Sequence, residues 1–149
     1  MSYWNRVKIK FQQEQENGAL KTLTEEYLLK AVSFTHAETR IFEIVSKDTP
    51  DFTIQSVVKA RYSDVFDDGE SEKWFEGKIV YMSLDEIRGT EKRIVNNMLV
   101  KADTIDKALI TIRENLKTML IPYEIEAMKL TTILEVYPEI FNQTEEANP

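Results

Sequence analysis

Three features of this 149-residue chain predict an α+β fold in which one ββαβ unit is used twice. The segment from Tyr3 to Phe66 reappears, diverged, from Lys73 to Tyr137. Within each copy, two stretches alternate apolar and polar residues at period two, as half-buried strands do. Between the second of these and a further alternating stretch lies an apolar stripe at helical spacing, preceded by a helix-capping residue. About six strands and two helices follow, arranged as one compact domain over residues 1–138 with a pseudo-twofold relation between repeats 3–66 and 73–137. Residues 139–149 are polar and are expected to form a flexible tail.

The repeat is anchored by Leu28-Leu29-Lys30-Ala31 against Leu99-Val100-Lys101-Ala102, an offset of 71. Six of the sixteen positions from 28/99 to 43/114 are identical. Trp4/Trp74, Lys8/Lys78, Ile9/Ile79 and Phe11/Tyr81 correspond at an offset of 70, so the first loop is one residue shorter in the first copy. Phe52/Tyr123, Ile54/Ile125, Val65/Val136 and Phe66/Tyr137 return to 71.

Each element has its own signal. The first strand, Tyr3–Phe11 (Trp74–Tyr81), places Val7, Ile9 and Phe11 on one face. Asn17-Gly18 suits a tight hairpin turn, where positive φ is needed. The second strand is expected at 25–33 (96–104). Thr35 with Glu38 forms a capping box, and Asp106 holds the matching position in the second copy. Ala37, Ile41, Ile44 and Val45, matched by Ala108, Ile112, Leu116 and Met119, make the buried helix faces. Pro50 and Pro122 end the helical segments. The third strand runs Phe52–Tyr62 (Tyr123–Thr131). Asp67–Glu72 reads as an acidic, solvated linker. Ile9, Ile41, Ile79 and Ile112 are the expected centre of the core.

The composition excludes several classes of function. There are no cysteines, which removes disulfides, thiolate metal sites and a cysteine nucleophile. No apolar run approaches the ~20 residues that cross a bilayer, and Met1–Arg6 lacks a signal peptide's apolar stretch, so a cytoplasmic protein with no membrane partner is expected. The net charge of −7 is spread evenly, with 9 basic and 12 acidic residues in 1–70 and 10 and 14 in 71–149. That balance disfavours non-specific duplex binding by counterion release, although a local basic face is compatible with it.

Catalytic chemistry has little to work with. The four glycines form no phosphate-binding loop. His36 is the lone histidine and falls on a helix's first turn, where a solvated residue is the expected role. Asp64–Gly69 resembles a calcium loop only superficially, because Phe66 and Phe75 fall where oxygen ligands are required. No catalytic residue, metal or cofactor is expected, and the protein reads as a non-enzyme.

The pattern with functional content lies on the outward parity of the strands. Trp4, Arg6, Lys8 and Lys10 share one face, and Trp74 and Lys78 repeat two of them in the second copy. Lys30 and Lys101 join from the second strands. Rings on which bases stack, beside amines that track phosphates, are how many single-strand binders work. Outward lysines are also what any half-solvated strand carries. These residues point to non-enzymatic binding of single-stranded nucleic acid, with DNA the expected kind, in replication or repair. The alternative is a protein-interaction or regulatory (host-interaction) module without nucleic-acid binding. A pseudo-symmetric small-molecule binder comes third. The oligomeric state is open.

Thr24–Glu38, Lys73-Trp74-Phe75 with Lys78-Ile79, and Asn97–Val100 together resemble an uncharacterised family of Bacteroidetes bacteria and their phages. The resemblance runs from about Trp4 to Ile125. It implies no catalytic residues, because the family is a domain of unknown function. Its occurrence in phages near replication genes implies a setting compatible with single-stranded DNA.

Overall fold

The computed structural model describes residues 1–138, a mixed α+β chain of two helices and eight strands in two four-stranded sheets. The chain divides into two compact units, one of Met1–Arg61 with the segment from Ile133 onward, the other of Tyr62–Thr132.

In unit 1, β1 (Tyr3–Glu14) and β2 (Leu20–Ala31) form an antiparallel hairpin. Gly18 at φ +82° closes it, with the Ala19 N–H donating to Asn17 Oδ1. α1 (Phe34–Val45) follows, then β3 (Thr53–Ala60), antiparallel to β1. The fourth strand of this sheet is β8 (Ile133–Tyr137), parallel to β2, so the order is β3-β1-β2-β8. One face of the sheet packs Val7, Ile9, Tyr27, Leu29 and Ala31 against Ala37, Ile41 and Val45 of α1, with Tyr137 beside them.

Unit 2 has the same order of elements. β5 (Lys73–Asp85) and β6 (Thr90–Ala102) form the hairpin, followed by α2 (Ile105–Leu116) and β7 (Tyr123–Leu130). Its fourth strand is β4 (Asp64–Phe66), parallel to β6, which gives β4-β6-β5-β7. Phe75, Ile79, Met98, Val100 and Ala102 pack against Ala108 and Ile112. Gly77 lets β5 approach α2 closely, since an added Cβ would lie 2.6 Å from Ile112 Cδ1. All four expected core isoleucines are essentially excluded from water.

Several sequence expectations change. There are eight strands, because the short segments 64–66 and 133–137 find sheet partners far away in sequence, which local patterning does not show. Both hairpins extend further than period-two alternation suggested, because cross-strand pairing continues through the polar residues to Glu14↔Leu20 and Asp85↔Thr90. The third strands are Thr53–Ala60 and Tyr123–Leu130, each slightly shorter than expected at its C-terminal end. The helix caps are Ser33 and Thr104, not Thr35 and Asp106. Ser33, extended at φ −156°, accepts the His36 N–H on its hydroxyl, and Thr104 does the same for Lys107. Each helix therefore begins about half a turn earlier, and Asp106 lies in the first turn, where its charge complements the helix dipole. The acidic 67–72 segment is a defined turn. Asp68 accepts the N–H groups of Glu70 and Ser71 and the Ser71 hydroxyl, which lowers its carboxyl from 3.8 to about 2. The expected tail lies outside the described residues.

Candidate nucleic-acid interface

The eight residues singled out on the outward parity lie on the helix-free faces of the two sheets. Cross-strand register explains how they meet. On unit 1, Trp4 is opposite Lys30, Arg6 opposite Leu28, Lys8 opposite Glu26 and Lys10 opposite Thr24. The Lys30 ammonium lies 5.0 Å from the centre of the Trp4 ring, a cation–π contact. Arg6 turns diagonally to Glu26, with Nη2 donating to Oε1 at 2.7 Å, and Glu26 is 9% exposed. Its guanidinium is held by a carboxylate on its own sheet. Lys8 is half-buried, and Lys10 is exposed.

Unit 2 repeats the first contact, with Lys101 5.5 Å from the Trp74 ring centre. The surroundings differ. Trp74 is 1% exposed, so its ring has no face open to a base in this structure. Its Nε1 has no acceptor among the described residues, while its carbonyl accepts both the N–H and the hydroxyl of Thr131. Lys101 reaches Asp67 at 3.8 Å. Lys78 pairs with Glu126 at 2.9 Å, and the same carboxylate accepts Arg93 at 2.6 Å.

Glu126 reaches both cations because of a β-bulge. The β5–β7 register shifts between Lys78 and Ile79, where Lys78 pairs with Ala127 and Ile79 with Ile125, so Glu126 is the extra residue. Bulges re-aim side chains in this way. Hydrogen bonds from Lys78 and then Arg93 hold the Glu126 carboxyl below its ordinary range. The β1–β3 ladder shifts between Lys8 and Ile9, with Gln55 as the extra residue, and leaves Lys8 without this carboxylate partner.

The outward pattern is thus cationic and open mainly on unit 1, around Trp4, Lys30, Lys8 and Lys10. Further candidates lie at the same end of that sheet. The Lys59 ammonium is 3.7 Å from the Tyr3 ring centre, and Tyr3 is 39% exposed. Phe34, the first residue of α1, is 58% exposed. Both rings line a cavity of about 210 Å³ together with Asn5 and Lys59. One signal in the sequence marks the place. Asn5 interrupts the apolar parity that continues through Val7, Ile9 and Phe11.

His36 is half-buried and has a local role: its Nδ1 accepts the Val32 N–H at 3.0 Å. Among the described residues, no group of three His, Asp or Glu side chains could hold a metal ion, and no helix is long and apolar enough to cross a membrane.

No curated protein matches the chain. A family model, described as a domain of unknown function (DUF4494), matches residues 3–139 and so spans both hairpins, both helices and all eight strands. The chain belongs to the DUF4494 family.

Proposed function

We propose that the protein binds single-stranded nucleic acid, DNA in the first instance, in replication or repair, and catalyses no reaction. The observation that supports this best is the pair of lysine-over-ring contacts at one end of unit 1, Lys30 on Trp4 and Lys59 on Tyr3. Tyr3 and Trp4 are neighbours that project to opposite faces of β1, so a strand crossing that end of the sheet meets both rings. Stacking on them is sequence-tolerant, and Lys8, Lys10, Lys30 and Lys59 supply cations for the backbone. The acidic total charge fits a binder of one strand at a local site better than a duplex coat. Fluorescence anisotropy with oligo-dT and with duplex DNA, at two salt concentrations, is the test. Expected are tighter binding to oligo-dT and a log–log salt slope of about −0.7 per phosphate contacted. Absent or salt-insensitive binding to oligo-dT ends the proposal.

A protein-interaction module is the second reading, and one observation favours it. Beyond Tyr81, where β7 begins to pair, the β5–β6 hairpin continues as a two-stranded ribbon carrying exposed Met82, Leu84 and Ile87, the last 98% exposed. Apolar side chains grouped on a ribbon suit a protein surface more than a phosphate backbone. Association that persists at high salt and is lost in Ile87→Ser would favour this reading over the first.

We also infer that the two halves descend from one duplicated unit. Both carry the bulge between corresponding Lys and Ile residues, and the parallel pairs Val65↔Leu99 and Val136↔Leu28 match at an offset of 71. An experimental structure with different registers in the two halves would count against it.

A further inference from the structure

We propose that the cavity lined by Tyr3, Asn5, Phe34 and Lys59 is a base-reading subsite that prefers bases bearing an exocyclic amino group, adenine and cytosine, over thymine. The inference rests on the nucleic-acid reading above and adds a specificity to it.

The cavity, about 210 Å³, sits in unit 1 between the start of β1, the end of β2 and the first residue of α1. That is below the usual range for drug-sized ligands and suits one flat ring. Tyr3 and Phe34 contribute exposed aromatic surface to its walls. Lys59 is exposed, with its ammonium over the Tyr3 ring, where it can reach a phosphate attached to a base held there.

Asn5 gives the cavity its selectivity. It is 8% exposed on the helix-facing parity of β1, where Val7 and Ile9 are wholly buried. Its Nδ2 donates to the Tyr3 carbonyl at 2.9 Å, which fixes the amide plane. A carboxamide has a second N–H and two acceptor lone pairs, so Asn5 retains both a donor and an acceptor for a ligand. An amide oxygen accepts from adenine N6 or cytosine N4, and the neighbouring N–H serves an adjacent ring nitrogen. Thymine presents a carbonyl at the corresponding position and leaves the Asn5 oxygen without a donor.

Unit 2 lacks these chemical groups at the matching places. Asn5 pairs with Leu29 and Lys59 across the sheet, and Phe75 pairs with Val100 and Leu130. Phe75 is a core residue, 5% exposed, and Ile105 occupies the first helical position held by Phe34 in unit 1. The polar, aromatic and cationic groups are therefore peculiar to unit 1. A general need of the fold does not account for them.

Anisotropy titrations of the full chain with oligo-dA, oligo-dC and oligo-dT test this directly. The parent protein should bind oligo-dA and oligo-dC on the order of tenfold more tightly than oligo-dT, the discrimination expected of one hydrogen-bonded base contact. Asn5→Leu should abolish that preference while oligo-dT affinity stays unchanged, with thermal unfolding confirming that the variant folds. Phe34→Ala, at an exposed position, should weaken all three. Equal affinities in the parent protein, or a preference that survives Asn5→Leu, overturn the subsite and leave single-strand binding standing. Failure of all three oligonucleotides to bind overturns both.

Discussion

Trp4 and Trp74 share a parity, a position in their strands and a lysine over the ring, yet one is half-buried and the other is sealed from water. Their substitutions should therefore separate. Trp74→Ala is expected to cost about 3–5 kcal/mol of stability, read by denaturant unfolding. Trp4→Ala should instead weaken oligo-dT binding by about 1–3 kcal/mol with a much smaller effect on folding. Gly77 is a second site where one residue's size decides the packing. Gly77→Ala drives a methyl into Ile112 and should destabilise by about 1–3 kcal/mol, measurable as a lower denaturation midpoint. Asp68 adds a pH signature. Its carboxyl is lowered in the fold, so its ionised form contributes stability above the unfolded value near 4, and that contribution is lost as pH falls through about 2. Asp68→Asn preserves the turn's acceptor oxygen but removes the charge. The gap in melting temperature between parent and variant should be present at neutral pH and close progressively below about pH 4.

At the scale of elements, both helices are set by a hydroxyl cap at the strand-to-helix junction. Ser33→Ala removes the acceptor for the His36 N–H and should cost about 0.5–2 kcal/mol. Thr35→Ala removes no cap and should cost less, so thermal melts of the two variants locate the start of α1. The helices and hairpins are legible in the sequence because each has a local cause, namely period-two alternation, Asn17-Gly18, or an apolar stripe at Ala37, Ile41 and Val45. The cap itself is misplaced by two residues because Ser33 and Thr35 are both good N-cap types. Only the backbone, extended at Ser33, distinguishes them. The bulge that brings Glu126 to Lys78 and Arg93 has no local signature either, since Glu126 reads as an ordinary outward residue of an alternating strand.

At the scale of the molecule, each sheet is completed by a strand from the other half of the sequence. β4 follows β3 in the chain but lies in the sheet of unit 2, and β8 follows β7 but lies in the sheet of unit 1. Phe66 and Tyr137 go with them into the packing of those units. Ending the chain at Thr132 removes β8 and the ring of Tyr137, 6.2 Å from that of Tyr27. We expect loss of the cooperative unfolding of unit 1, with hydrogen exchange at the β2 amides Tyr27–Leu29 rising towards that of an unfolded chain. Unchanged protection there would mean that β8 is dispensable.

The sequence by itself determined the order of elements, the faces of the hairpins and the four isoleucines at the core, because strand and helix periodicity and turn chemistry act over a few residues. It also identified Trp4, Arg6, Lys8, Lys10, Lys30, Trp74, Lys78 and Lys101 as one outward set. Tertiary structure alone decided which of these remain open, sealing Trp74, pairing Arg6 with Glu26 and Lys78 with Glu126, and leaving Lys10 exposed beside the Trp4–Lys30 contact. It also decided that residues 64–66 and 133–137 complete sheets in opposite halves of the chain. The physical reason is common to both. Burial, ion pairing and parallel strand pairing join residues distant in sequence, and no local pattern encodes a partner that arrives from the other end of the chain.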